Sequence, residues 1–236
     1  MTPVSHALYT GSYFMLSLVD QRNFKYLSVR LVQLLVSIML LTFAQVADTK
    51  ESTEESHNAA VAVIEQLHAN LLEVMQAADT MNFAERYSKL EPTITESFDT
   101  PIIVKVILSR YWKDLTSQKQ ENFIHLFNRQ TIATYASRFD SYDDELFEIK
   151  TVEQLKKGRL LVRSEIRSKG ESPINLDYLM HNNNGSWFII SVIADGVNDL
   201  SLKRAEYSAV IKKNGYENLV TNIEKKIVEM ENREDK

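Results

Sequence analysis

The glycine distribution constrains this chain most. Between Asp48 and Lys157 there is none, while Gly158, Gly170, Gly185, Gly196 and Gly215 punctuate the chain after it. A long stretch without the residue that supplies positive φ reads as helix, and regularly spaced glycines between apolar runs read as hairpins. The chain is therefore expected to build a helical half followed by a sheet half.

Periodicity sharpens this division. Ala60, Val63, Ile64, Leu67, Leu71, Val74 and Ala78 recur at helical spacing and predict a helix over 56–79. A second is expected over 82–90, interrupted by Pro92. In "DTPIIVKVILSRYW", Asp99 or Thr100 caps a helix with Pro101 in its first turn. Its apolar residues run almost all round, so it is either deeply buried or lines a cavity. A longer helix over 117–139 carries Ile124, Phe127, Thr131, Tyr135 and Phe139 on one stripe.

After "DSYDDE" the apolar period drops from 3.6 to 2, as in strands. Three alternating runs and the doubly apolar "WFIISVIA" predict four antiparallel strands joined by "KKG", "SKGESP" and "HNNNG". Helices over 201–213 and 216–231 close the chain. With no linker between the halves, the expected fold is α+β, with helices packed on one face of a curved four-stranded antiparallel sheet.

Residues 31–47, "LVQLLVSIMLLTFAQVA", follow Arg22, Lys25 and Arg30 and precede the polar "DTKESTEES". That order is the layout of a secretory signal peptide with an extended basic segment, cleaved near residue 44 or 47. An uncleaved membrane anchor is the competing reading, although the run is short for a span. Loss of 1–47 would change the net charge from −5 to −7 and leave 48–236 as a single domain. The acidic balance disfavours nucleic acid as a partner. The chain has no cysteine, so stability rests on the core alone, and export to a bacterial periplasm fits.

The motifs of catalysis are missing from the sequence. There is no GxSxG elbow, no phosphate loop and no HExxH, and His57, His68, His125 and His181 are scattered. No catalytic residue, metal ligand or cofactor is assigned. The acidic run Asp140, Asp143, Asp144 and Glu145 lacks the spacing of a calcium loop and reads as a solvated turn. Asp177 is expected to pair with Arg163 or Arg167 on the sheet surface. Asp195 and Gly196 in "SVIADGVNDL" read as a corner between strand and helix, with Asn198, Asp199 or Ser201 as cap. Apolar and aromatic residues are in excess for a sheet of this size, and periodicity alone does not distinguish a filled core from a cavity.

The segments "RYWKDLTSQKQENFIHLFNRQTIATYASRFDSYDDELFEI" (110–149), "INLDYLM" (174–180), "GSWFIISVIADGVNDL" (185–200) and "AEYSAVIKKNGYENLVTNIEKKI" (205–227), in this order, resemble the MlaC or toluene-tolerance family. "FDSY" followed by "FEI" is most similar to its hopanoid-associated HpnM branch. The resemblance implies a nuclear-transport-factor-like or cystatin-like fold and a monomeric, non-enzymatic periplasmic shuttle. Its cargo would be phospholipid or a hopanoid-type lipid. Its partners would be an outer-membrane lipoprotein complex and an inner-membrane ABC transporter with an MCE-domain protein. The implied lipid-binding positions are Val104, Ile107, Leu108 and Trp112 on one helix, and Phe127, Tyr135 and Phe139 on the next. On the sheet they are Val162, Leu176, Tyr178, Phe188 and Ile190. Arg110 and Lys113 are candidates to meet a phosphate at the rim. A periplasmic lipid hydrolase and a cargo-free assembly partner of a membrane complex are the alternatives.

Overall fold

The apolar stripes predict which faces meet, and a computed structural model shows how. It describes residues 54–232, so the expected signal peptide lies outside the described residues. No helix among them is long and apolar enough to cross a membrane.

Helix α1 covers 54–76 and buries Ala60, Ile64, Leu67, Leu71 and Val74 completely. Helix α2 (Phe83–Ser97) starts with a capping box, in which Asn82 Oδ1 accepts from Glu85 N–H at 3.0 Å and Glu85 Oε2 accepts from Asn82 N–H at 2.9 Å. The helix does not stop at Pro92, as the sequence suggests, but runs on to Ser97. Proline removes one backbone hydrogen bond, at a cost of about 3 kcal/mol. Continuing the helix places Ile94 in line with Leu90, both fully buried, and full burial of such a side chain returns about 1.5–3 kcal/mol. Packing of α2 on α4 adds to that return. Buried Arg86 ties the same helix to the end of α4, donating from Nε to the Ala136 carbonyl at 3.0 Å.

Helix α3 (Thr100–Leu108) is capped by Asp99, whose carboxylate accepts from Ile102 N–H at 3.0 Å, with Pro101 in the first turn. A 3-10 segment, Ser109–Asp114, leads to Thr116, which caps α4 (Ser117–Arg138).

The sheet is an antiparallel meander in the order β1 (Leu146–Gln154), β2 (Arg159–Arg167), β3 (Ile174–Asn183), β4 (Ser186–Ala194) and β5 (Val197–Asn198). The sequence reading of four strands is thus corrected to five. Asp195 and Gly196 both have positive φ, +46° and +80°, and they join Ala194 to its partner Val197 as a two-residue hairpin loop. Chain reversal at this loop creates β5 before Asn198 caps the next helix, accepting from Ser201 N–H at 2.8 Å. Asn184 and Gly185 do the same between β3 and β4.

Strand β4 is apolar on both faces for a local reason. Leu179 pairs with Ser191 and Met180 with Ile189, which leaves Ile190 as the extra residue of a β-bulge. Ile189 and Ile190 are consecutive and both buried. Beyond the far side of β4, Phe98 forms a parallel bridge to Ile189, and Asp99 N–H donates to the Ile189 carbonyl at 3.0 Å.

The outer face of the sheet carries ion pairs. Arg163 reaches Asp177 at 2.8 Å and Glu153 at 3.0 Å, and Lys150 reaches Glu165 at 2.9 Å. The inner face, with Leu160, Val162, Tyr178, Met180 and Ile189, meets the helices in one core. Helices α5 (Asp199–Asn214) and α6 (Tyr216–Glu231) close the fold, α5 packing on α3 and α6 on α4. The break between them is at Gly215, φ +84°.

Candidate functional site

Helical and strand phases decide which side chains converge between the helices and the sheet. Along α4, Phe127, Thr131, Tyr135 and Phe139 stand on one stripe. On β3, Leu176 and Tyr178 share a face, and on β4 Val192 and Ala194 stand opposite them in register. Together with Ile103 and Ile107 of α3 and the first turn of α5, these residues enclose a cavity of about 270 Å³ with a mainly apolar lining.

An aromatic chain runs along its wall. Phe98 meets the Tyr135 ring edge-on at 5.9 Å, Tyr135 stacks on Phe139 at 5.6 Å, and Phe139 lies 6.3 Å from Phe147. Phe147 in turn stacks on His68 at 4.4 Å. Burial pushes both cavity phenols up, so Tyr135 and Tyr178 stay neutral; at Tyr135 the Asp199 carboxylate adds to the rise and Arg138 opposes it. Burial also depresses His68 to about 4, so its ring is neutral as well.

The sequence-derived positions divide. Ile107, Phe127, Tyr135, Phe139, Leu176, Tyr178 and Ile190 line the cavity. Val104, Leu108 and Val162 are completely buried in the core and do not reach it. Trp112 packs on the core from the 3-10 segment. Phe188 pairs with His181, one step out of phase with Met180, and its ring lies 6.2 Å from that histidine. The bulge at Ile190 is the cause, because it breaks the alternation that would have put Phe188 and Ile190 on one face. Arg110 and Lys113 lie on the 3-10 segment away from the cavity, where Arg110 donates to the Tyr111 hydroxyl at 3.0 Å.

Sequence reasoning missed other lining residues. Ile103 was hidden because α3 is apolar nearly all round, which blurs its phase, and Phe98 because it stands between α2 and α3, outside any periodic run. Leu200, Leu202 and Lys203 sit in the first two turns of α5, where the pattern resembles solvated surface. Val192 and Ala194 had a usable signal, since they continue the two-residue period from Ile190. Among the described residues the charged groups at the cavity are Arg138, Asp199 and Lys203, with Lys203 Nζ 3.7 Å from Asp199 Oδ1. Among the described residues no group of three histidines, aspartates or glutamates is placed to hold a metal ion.

A family profile described as MlaC protein matches residues 65–225, which takes in every element that bounds the cavity. The chain belongs to the MlaC family. Among solved structures, one from Ralstonia solanacearum, described as a phospholipid-binding protein in complex with a phospholipid, superposes with a TM-score of 0.64. The match has 19% sequence identity and covers 72% of this chain and 98% of that one. At that identity the likeness concerns the fold, and it places this MlaC member on the same helix-and-sheet scaffold.

Proposed function

We propose that this MlaC protein is a periplasmic carrier that takes up one lipid molecule in the cavity between α3, α4, α5 and the sheet. The observation that carries this reading is an apolar, aromatic-walled cavity that opens to the surface beside three charged side chains. Family membership supports it, as does the description of the Ralstonia solanacearum protein as phospholipid-binding. The cargo is a phospholipid, or a hopanoid-type lipid if the chain stands in that branch. The route runs between an outer-membrane lipoprotein complex and an inner-membrane ABC transporter with an MCE-domain protein.

The energetics explain why such a carrier is needed. Two acyl chains hold about 30 methylenes, so their full exposure to water costs on the order of 24 kcal/mol at about 0.8 kcal/mol each. A carrier has to enclose most of that surface while holding it no more tightly than a bilayer, or delivery fails. The cavity of about 270 Å³ is at the small end of ligand pockets, so two-chain cargo requires α5 and α4 to part from β3 and β4. The hydrolase alternative is less favoured. Among the described residues the lining contains one serine, Ser191, whose Oγ has no hydrogen-bond partner, and no histidine beside it.

The test is lipid extraction from the natively purified protein followed by mass spectrometry. Stoichiometric co-purifying lipid is expected. Protein that remains lipid-free after incubation with liposomes refutes the carrier.

A further inference from the structure

The charges at the cavity mouth do not balance. Arg138, the last residue of α4, lines the cavity and is solvent-exposed, and it makes no ion pair or hydrogen bond among the described residues. Lys203 lines it too, with its side chain 23% exposed. Its nearest anion is Asp199 at 3.7 Å, beyond good hydrogen-bond length. Asp199 offsets one of the two cations and leaves a single positive charge. Tyr135, on the same cavity wall, is within electrostatic reach of both Asp199 and Arg138, and all three line the cavity.

We propose that Arg138 and Lys203 form a phosphodiester-binding site at the mouth, so that the cavity selects a phospholipid over a neutral lipid with the same chains. This deepens the carrier reading and rests on it. A phosphodiester carries one negative charge, which matches the one unbalanced cation among the described residues at the mouth. The planar guanidinium offers two parallel donors to phosphate oxygens, and Lys203 adds a mobile point charge. Apolar walls behind the mouth reduce solvent screening there. A purely helical role is available to each cation, at the α4 C-terminus for Arg138 and as an i,i+4 partner of Asp199 for Lys203. Neither role requires the side chain to border the cavity, and neither changes with cargo.

The experiment offers the purified full chain vesicles of dioleoyl phosphatidylcholine doped with dioleoylglycerol and measures the ratio of the two lipids captured. The wild type is expected to favour phosphatidylcholine, and R138Q combined with K203Q to lower the ratio about tenfold, as loss of charge-assisted bonds implies. The charge-keeping pair R138K and K203R restores most of the ratio, which a merely structural role would not require. An unchanged ratio in the double glutamine variant overturns the site. Inorganic phosphate is the other source of this chemistry. If it binds the lipid-free protein through these residues while the lipid ratio stays unmoved, the site belongs to a free anion and the lipid assignment falls. If the wild type captures neither lipid, the carrier reading itself fails, and this proposal with it.

Discussion

His68 on α1 and Tyr178 on β3 share a buried hydrogen bond of 3.0 Å, while the His68 ring stacks on Phe147 of β1. The contact joins the helical layer to two strands beneath the cavity and encloses a titratable ring. His68 binds its proton only near pH 4 in the folded protein, because burial disfavours the cation, but near pH 6.5 in the unfolded chain. Above pH 6.5 it is neutral in both states and contributes no pH dependence. As pH falls from 6.5 to about 4, the unfolded chain gains the proton first, and stability drops by about 3 kcal/mol in total. Urea denaturation at pH 7 and pH 4.5 should show this loss, and His68→Gln, which keeps a hydrogen-bonding group without the titration, should remove most of the difference.

A substitution that enters the cavity should differ from one in the solid core. Val192 lines the cavity and is half-buried, whereas Val104 is completely buried and does not line it. Val192→Phe has empty space to occupy and should cost less than about 1 kcal/mol, while Val104→Phe overpacks its neighbours and should cost about 1–3 kcal/mol. Lipid uptake from liposomes should fall sharply in Val192→Phe despite a near-normal melting curve. Equal stability losses in the two variants would show that the cavity is not available space.

Asp99 has two duties, capping α3 through Ile102 N–H and pairing with His181 at 2.9 Å. Both partners are lost in Asp99→Ala, with an expected loss of about 2–3 kcal/mol. His181→Ala removes only the second and should cost about half as much. In a double-mutant cycle read by urea denaturation, the coupling should be at least 0.5 kcal/mol, roughly the lower limit for contacting pairs.

Helix α5 is tied to α4 by a buried hydrogen bond, in which the Tyr207 hydroxyl donates to Gln130 Oε1 at 2.6 Å, and by the edge-on packing of the Tyr207 ring on Phe123. Gln130 also lines the cavity. Tyr207→Phe leaves that oxygen unpaired and should cost about 1–2 kcal/mol. Because the same contact restrains α5 over the cavity, hydrogen exchange in the first turns of α5 should quicken in this variant. Unchanged protection there would locate the restraint elsewhere.

Much of the architecture was legible in the sequence because it follows from one-dimensional signals. The glycine gap located the helical half, and the caps at Asp99 and Asn198 follow from short polar side chains ahead of apolar runs. The family resemblance rested on the order of several segments, and the MlaC match covers the same stretch. What escaped was three-dimensional. Pro92 is a stop signal locally, but tertiary burial of Ile94 outweighs it. "ADGV" contains the Asp-Gly of a hairpin loop, yet the strand after it is only two residues long and leaves almost no alternating pattern. The bulge at Ile190 has no sequence mark, so the phase of Phe188 was misread and the cavity's β4 wall was displaced toward the start of the strand. Arg110 and Lys113 are next to the most apolar helix along the chain, whereas Arg138 and Lys203, which line the cavity, come from the end of α4 and the start of α5.

The bridge from Phe98 to Ile189 has a consequence for how the protein behaves when concentrated. Together with β5, it occupies backbone groups along the far side of β4 that another molecule would otherwise match. On the opposite border, β1 presents Glu148, Lys150 and Glu153 and is itself kinked between Ile149 and Thr151. Charge and irregularity at a border strand discourage intermolecular sheet growth. A molecule that exposes Val197 and Leu202 at its apolar opening is thereby guarded against aggregation at the two places where exposed strands would most readily start it.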